Sequence, residues 1–240
     1  MQHIKTFYFD SAATTPMDKK VIELMHEINL GYYGNPSSIH HEGQKAHNII
    51  EKSRKSIANT LYCNDSEIYF TSGGSESNNI VLKGILNSGD HFITSSYEHP
   101  SIIKLIEQLV KNKIEVSIAK PNNKGIIDFP TILPLIKNNT KLVSIMYVNN
   151  EIGTINPIDT IGSSLSKKEI LFHSDAVQFL GKGKLNLAEL HIDMLSIGAH
   201  KFYGPKGIGL LYVKKGIEIN PLIVGGGQEN GMRAGTENVS

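Results

Sequence analysis

Lys201 stands in the run Ser196-Ile197-Gly198-Ala199-His200-Lys201-Phe202-Tyr203-Gly204-Pro205-Lys206-Gly207-Ile208-Gly209, between the apolar stretches 194–197 and 209–213. Most lysines are solvated surface charges. Here aromatic and apolar neighbours would partly desolvate the ammonium and make a neutral amine accessible, as Schiff-base chemistry with a carbonyl cofactor requires. The glycines let the backbone approach a bulky planar ligand. Asp175 follows another apolar run, 170–174. A carboxylate placed there needs a cationic partner, and a pyridinium N–H would serve. The segment Ser72-Gly73-Gly74-Ser75-Glu76-Ser77-Asn78-Asn79 opens a helix after an apolar run at 68–71. Free N–H groups, glycines and hydroxyls there make an anion cradle suited to phosphate, although Ser75 is also a good N-cap for an ordinary helix start. It is neither the Gly-x-Gly-x-x-Gly fingerprint nor a lysine-bearing phosphate loop, so the phosphate belongs to something other than NAD or ATP. His99, in Tyr97-Glu98-His99-Pro100, lies just past a strand-like run, where it could stack on a ring or shuttle a proton. Asn149 and Asn150 offer amides after the run 142–148.

The elements that must position these groups alternate. The pattern predicts strands at 7–10, 68–71, 91–95, 114–119, 142–148, 170–174, 194–197 and 209–213. It predicts helices near 21–28, at 42–61, 76–86, 101–110, 130–136 and 160–166, and one more between Asp175 and Lys201. Val21, Leu24, Met25 and Ile28 form one apolar face, and Ala46, Ile49, Ile50, Ile57 and Leu61 another. Such alternation calls for an α/β fold with a mainly parallel sheet and helices on both faces, and nothing resembles a domain boundary. Open sheets of this kind place ligands past the strand ends. The segment 225–238 is glycine-rich and polar, read either as a surface loop or as a second anion-binding segment.

With 24 Lys and Arg against 23 Asp and Glu, the net charge of +1 gives no broad electrostatic case for nucleic acid or a membrane surface. No apolar run approaches spanning length, and no signal core follows the N-terminus. The single cysteine, Cys63, rules out an internal disulfide framework and fits a reducing compartment, so a cytoplasmic protein is expected. Cys63 reads as structural. His40-His41-Glu42 and His47 imitate a zinc helix, but Lys45 stands where His-Glu-x-x-His needs histidine, so no metal is expected.

Together the motifs resemble one family. They are Phe9-Asp10-Ser11-Ala12-Ala13-Thr14-Thr15-Pro16, Gly34-Asn35-Pro36-Ser37-Ser38-Ile39-His40, Phe70 through Asn79, Glu98-His99-Pro100, Val148 through Thr154, Asp175-Ala176-Val177-Gln178, His200 through Gly207, and Gly225 through Asn238. In order and number they are similar to those of cysteine desulfurases, class V aminotransferase relatives and fold type I pyridoxal-phosphate enzymes. The resemblance implies that Lys201 carries pyridoxal 5'-phosphate, Asp175 pairs with the ring N–H, and Gln178 bonds the ring hydroxyl. His99 would stack on the ring and move protons, and Asn150 would lie near cofactor and substrate carboxylate. Gly74, Ser75 and His200 would hold the phosphate, with Thr236 reaching a partner subunit's cofactor in a homodimer.

The implied reaction converts L-cysteine to L-alanine, its sulfur passing as an enzyme persulfide to an acceptor or scaffold protein for iron–sulfur assembly or tRNA thiolation. Residues 1–240 would be the large cofactor-binding domain, with 1–15 normally joining a small domain. The family's nucleophilic cysteine and substrate arginine fall beyond Ser240, so weak or absent turnover is expected of this chain. Ser75 replaces the usual threonine, and Gly198 stands where serine is frequent, removing one phosphate hydrogen bond. The alternatives are another class V enzyme, such as a selenocysteine lyase or aminotransferase, or a non-catalytic dimerising domain.

Overall fold

The computed structural model describes residues 7–240. Seven strands form one sheet: β1 (Ile68–Thr71), β2 (His91–Ser95), β3 (Glu115–Ala119), β4 (Thr140–Ser144), β5 (Leu171–Asp175), β6 (Met194–Gly198) and β7 (Gly209–Val213). Their order is β1-β7-β6-β5-β4-β2-β3. Only β7 runs against its neighbours, pairing antiparallel with both β1 and β6; all other pairs are parallel. Six strands therefore end on the same edge of the sheet, and their C-terminal loops converge there.

Seven helices accompany the sheet: α1 (Lys19–Gly31), α2 (His41–Leu61), α3 (Gly74–Ile85), α4 (Pro100–Ile103), α5 (Ile106–Lys111), α6 (Phe129–Ile132) and α7 (Ile158–Ser166). One core lies between α2, α7 and one sheet face, with Ala58, Leu61, Val143, Ile161, Leu165 and Phe172 buried in it. The other lies under α3, α4 and α5, built on Leu82, Ile85, Phe92, Ile102, Leu109 and Leu211. Strands covered on both faces bury nearly every side chain, as in β2, β6 and β7. The apolar face of α1 buries no residue completely; Val21, Leu24, Met25 and Ile28 line an apolar groove of about 850 Å³ shared with α2 and the loop after β6.

Several expectations are corrected. Residues 7–10 form no strand; Phe9 is almost fully exposed, and the segment after Asp10 instead crosses the Lys201 loop. Residues 1–6 of the segment expected to join a small domain lie outside the described residues. The strand expected at 142–148 starts at Thr140 and ends at Ser144, because the Met146 N–H turns to the Glu98 carboxylate rather than to β2. No helix lies between Asp175 and Lys201. Residues 176–193 run as turns and loop up to β6, with Gly181 at φ +81°, a conformation that favours glycine. The helix at 101–110 divides into α4 and α5, where the Leu105 N–H bonds Ile102 in a tighter turn. The helix at 130–136 shrinks to α6 followed by a 3-10 turn, Leu133–Leu135.

The glycine-rich segment 225–238 is anchored. Arg54 of α2, almost completely buried, donates from both terminal nitrogens to Glu229 at 2.8 and 2.9 Å. Glu229 also accepts from the Phe70 N–H of β1 at 2.9 Å, and the guanidinium stacks 4.8 Å over the Phe70 ring. Removing one partner of a buried pair leaves an uncompensated charge. Glu229→Leu should therefore lower stability by about 3 kcal/mol in urea titrations and expose 225–238 to proteolysis. The double variant Arg54→Met/Glu229→Leu should recover part of that loss.

Candidate active site

The loops after β1, β2, β4, β5 and β6 enclose a cleft of about 460 Å³. Gly74, Ser75, His99, Asn150, Asp175, Gln178, His200 and Lys201 line it, so eight of the nine expected site residues meet in one place. Thr236 does not. It lines a separate cavity of about 210 Å³ with Ser72, Glu229 and Arg233. Asp10, Ala12, Ala13, Met146, Glu151 and Val177 complete the cleft wall.

Asp175 is the last residue of β5 and is buried. Burial raises its carboxyl pKa, opposed first by an Asn78 hydrogen bond and then by the Val177 N–H. Asn78 Nδ2 donates to Asp175 Oδ2 at 2.8 Å and also to Ser101 Oγ at 2.9 Å. Ser101 Oγ lies 2.8 Å from His99 Nδ1, which also accepts from the Ser101 backbone N–H at 3.2 Å. Because that N–H can only donate, Nδ1 is the acceptor and the imidazole proton sits on Nε2. A hydrogen-bonded chain thus links the carboxylate to His99, with the Asn78 amide donating toward both ends. Asn78 and Ser101 were not legible as site residues, although Asn78 lies one helical turn past Gly74 on α3 and Ser101 two residues past His99. Asn78 Oδ1 is buried without a partner.

Lys201 ends a 3-10 turn, Ala199–Lys201, after β6. Its Nζ donates to the carbonyls of Ala12 and Ala13 at 2.6 and 2.8 Å. Burial lowers its pKa, reinforced by Lys182 and opposed by Asp175, Asp10 and Glu151. The segment around Thr15 straps this loop down. The Thr15 N–H donates to the His200 carbonyl at 2.9 Å, and the Tyr203 N–H donates to Thr15 Oγ1 at 2.7 Å. Tyr203 takes φ +67°, a costly conformation for a bulky residue. His200 Nδ1 lies 3.1 Å from Thr14 Oγ1, and burial followed by the Lys201 and Lys206 charges lowers the imidazole pKa.

At the start of α3 the cap is Gly73, at φ +150°, and not Ser75, which is the second helical residue. Gly74 and Ser75 therefore open the helix with N–H groups that have no intrahelical acceptor. A Cβ on Gly74 would stand 2.4 Å from Val177 Cγ2, so the backbone and Val177 share a close approach that only glycine permits. Asn150 donates to Glu151 at 2.6 Å, and Gln178 Nε2 donates to the Ala12 carbonyl at 2.9 Å.

This donor set fits a phosphate-bearing pyridine aldehyde. A helix N-terminus offers N–H groups to an anion, a desolvated carboxylate faces the cleft, and an amine whose pKa burial lowers lies across it. Cys63 is not part of the cleft. It packs against the core, and burial followed by Glu67 and Asp65 pushes its thiol up to about 12. Among the described residues no cluster of His, Cys, Asp and Glu could hold a metal, and no helix is long and apolar enough to cross a membrane.

The model of the aminotransferase class-V family matches residues 7–240. Cysteine desulfurase IscS of Dictyoglomus turgidum is 46% identical over 237 residues, covering 97% of this chain and 60% of the relative. The mitochondrial cysteine desulfurase of Saccharomyces cerevisiae is 41% identical over 239 residues, with 48% of the relative covered. Among solved structures, "SspA in complex with cysteine" superposes with a TM-score of 0.94 at 43% identity, covering 98% of this chain and 69% of that one. A NifS-like protein gives 0.95 at 40%, covering 98% and 66%. This chain spans about 60% of the length of the bacterial relative.

Glu98, beside His99, is buried. Its Oε1 takes Ser95 Oγ at 2.5 Å and the Met146 N–H at 3.0 Å, while Oε2 has no partner. Burial, with Asp175 adding repulsion, pushes its pKa up from 4.5 to about 8. The folded state therefore binds a proton that the unfolded chain has released, and stability from this group falls as pH rises through that window. In denaturant titrations Glu98→Gln should remove a slope approaching about 1.4 kcal/mol per pH unit between those values. An unchanged pH profile would show that Glu98 ionises normally.

Proposed function

This chain belongs to the class-V aminotransferase family, and from that premise we propose that residues 1–240 are the large, cofactor-binding domain of a pyridoxal-phosphate-dependent cysteine desulfurase. The observation that carries the reading is the meeting of Lys201 and Asp175 in one cleft, beside the open N-terminus of α3.

Lys201 would hold the cofactor through its amine and Asp175 would receive the ring N–H. Gly74, Ser75 and His200 would hold the phosphate, and Gln178 would donate to the ring hydroxyl. When bound, the cofactor supplies an electron sink for charge developing on the substrate carbon. The chain's own residues do the rest. Asn78 and Val177 fix the Asp175 carboxylate, so its charge is aimed before any ligand arrives. Ser101 holds His99 with its proton at Nε2, ready for exchange within the cleft. Met146 and Val177 keep water from part of the wall, and Asn150 stands where a substrate carboxylate could be bound.

The substrate class proposed is L-cysteine, with L-alanine as product and sulfur passed to a thiol and then to an acceptor or scaffold protein. The curated cysteine desulfurases aligned along nearly the whole of this chain support it over a selenocysteine lyase, an aminotransferase or a non-catalytic domain. So does the neighbour described as a complex with cysteine. Cys63, the chain's one cysteine, lies away from the cleft, so a thiol to receive sulfur there would come from elsewhere. Thr236, in its own cavity, would serve a partner subunit's site in a homodimer.

Adding pyridoxal 5'-phosphate to the purified chain should produce an absorbance band near about 420 nm, lost in Lys201→Ala. No band with excess cofactor would sink the cofactor reading. With L-cysteine the same sample should yield little alanine or sulfide, whereas amine formed from another substrate would favour a different class V chemistry. A Cβ at Gly198 would meet only ordinary contacts, 3.5 Å from the Gly74 nitrogen. Gly198→Ser should therefore fold normally and tighten cofactor binding by about fivefold, one hydrogen bond's contribution.

A further inference from the structure

Lys182 lies in the turn after Gln178, outside the cleft lining, and the expected site did not include it. Its Nζ donates to Gln178 Oε1 at 2.8 Å. The other end of that amide, Nε2, donates to the Ala12 carbonyl at 2.9 Å, the same oxygen that accepts from Lys201 Nζ at 2.6 Å. Lys182 and Lys201 also line one small cavity of about 200 Å³ behind the cleft wall. An ammonium has three donors and no acceptor, and a carbonyl oxygen only accepts. Between them these two groups leave the Gln178 amide one orientation. Its oxygen must face Lys182, and its NH2 must face Ala12 on the cleft side.

We infer that Lys182 is a positioning residue for this cleft: it turns Gln178 into a donor toward any bound ligand and sets a positive charge beside the Lys201 amine. The inference rests on the reading of Lys201 as the reactive amine. Two lysines lining one small cavity disfavour two full charges, and a nearby cation is a general way to lower the pKa of a nucleophilic lysine. The other charges facing Lys201 are Asp175 from the end of β5, Asp10 from the N-terminal strap and Glu151 from the loop after β4, all of which favour the charged amine. His200 is its neighbour on the same turn, with Lys206 beyond. After burial, Lys182 is the largest influence that lowers the Lys201 pKa. A donating Gln178 suits a ligand oxygen that is anionic or bears a lone pair, and disfavours one that must donate.

The test is competitive acetylation of Lys201 across a pH series at low salt, read by mass spectrometry, after hydroxylamine has removed any bound carbonyl compound. Relative to wild type, Lys182→Met should raise the midpoint of Lys201 labelling by about 0.5 pH unit, the size expected for one partly solvated charge. Lys182→Arg should restore it. Lys182 is exposed, so both variants should fold, which circular dichroism checks. Lys182→Met should also weaken pyridoxal 5'-phosphate binding several-fold by freeing the Gln178 amide. A midpoint unchanged in Lys182→Met would overturn the inference. So would an equal shift in Lys182→Arg, since packing and not charge would then be responsible. The labelling needs no cofactor, so a wild-type chain that fails to bind pyridoxal 5'-phosphate defeats the functional reading and leaves this measurement decisive.

Discussion

A carboxylate held at the end of a buried parallel strand is the constraint on which the site depends. Asp175 is removed from water by the sheet, α3 and α4, and an isolated anion there would be strongly disfavoured. Two donors, Asn78 Nδ2 and the Val177 N–H, hold it in place without cancelling its charge. The carboxylate therefore retains an unmet demand for a cation, directed into the cleft. A lysine and an open helix N-terminus around that demand make a site for a dipolar ligand with a cationic ring edge and an anionic tail.

The layer beneath Asp175 is polar but neutral, which sharpens the effect. His173, two residues earlier on the same face of β5, is fully buried between Ser144 and Ser196, and burial pushes its pKa down to about 3. Its neutral ring joins β4, β5 and β6 through hydroxyls without adding a competing charge. Glu98 is held protonated by the same lack of solvent. His173 and Glu98 are thus held neutral by burial, so neither adds a charge beside Asp175.

Sheet topology brings the pieces together. Because β7 alone is reversed, the loops after β1 and β6 open on the same edge as those after β2, β4 and β5. The strap through Thr15 then fixes the Lys201 loop from outside, holding Tyr203 in its left-handed conformation through the Thr15 hydroxyl. Backbone strain beside a reactive side chain persists only where the surroundings over-determine it. Here they do so from a segment nearly two hundred positions away in sequence.

Much of the fold was legible in the residues. Runs at 68–71, 91–95 and 209–213 coincide with β1, β2 and β7, and the periodicity of 42–61 marks α2, because burial on both faces or on one stripe leaves a repeating pattern. Eight of the nine expected site residues were legible for a related reason: a lysine, a carboxylate, a histidine or paired glycines past an apolar run stand out against their surroundings. What only the tertiary structure decided depends on contacts between distant segments. Phe7-Tyr8-Phe9 has strand-like composition, but among the described residues it takes no strand conformation. The end of β4 is set by Glu98, which arrives from a different loop. Asn78 is an ordinary polar residue until folding brings it against Asp175, and Ser101 and Lys182, local neighbours of His99 and Gln178, matter only once those residues face the cleft. Local pattern records which side chains must be buried or reactive, whereas the partners that aim them are chosen by the chain's path through space.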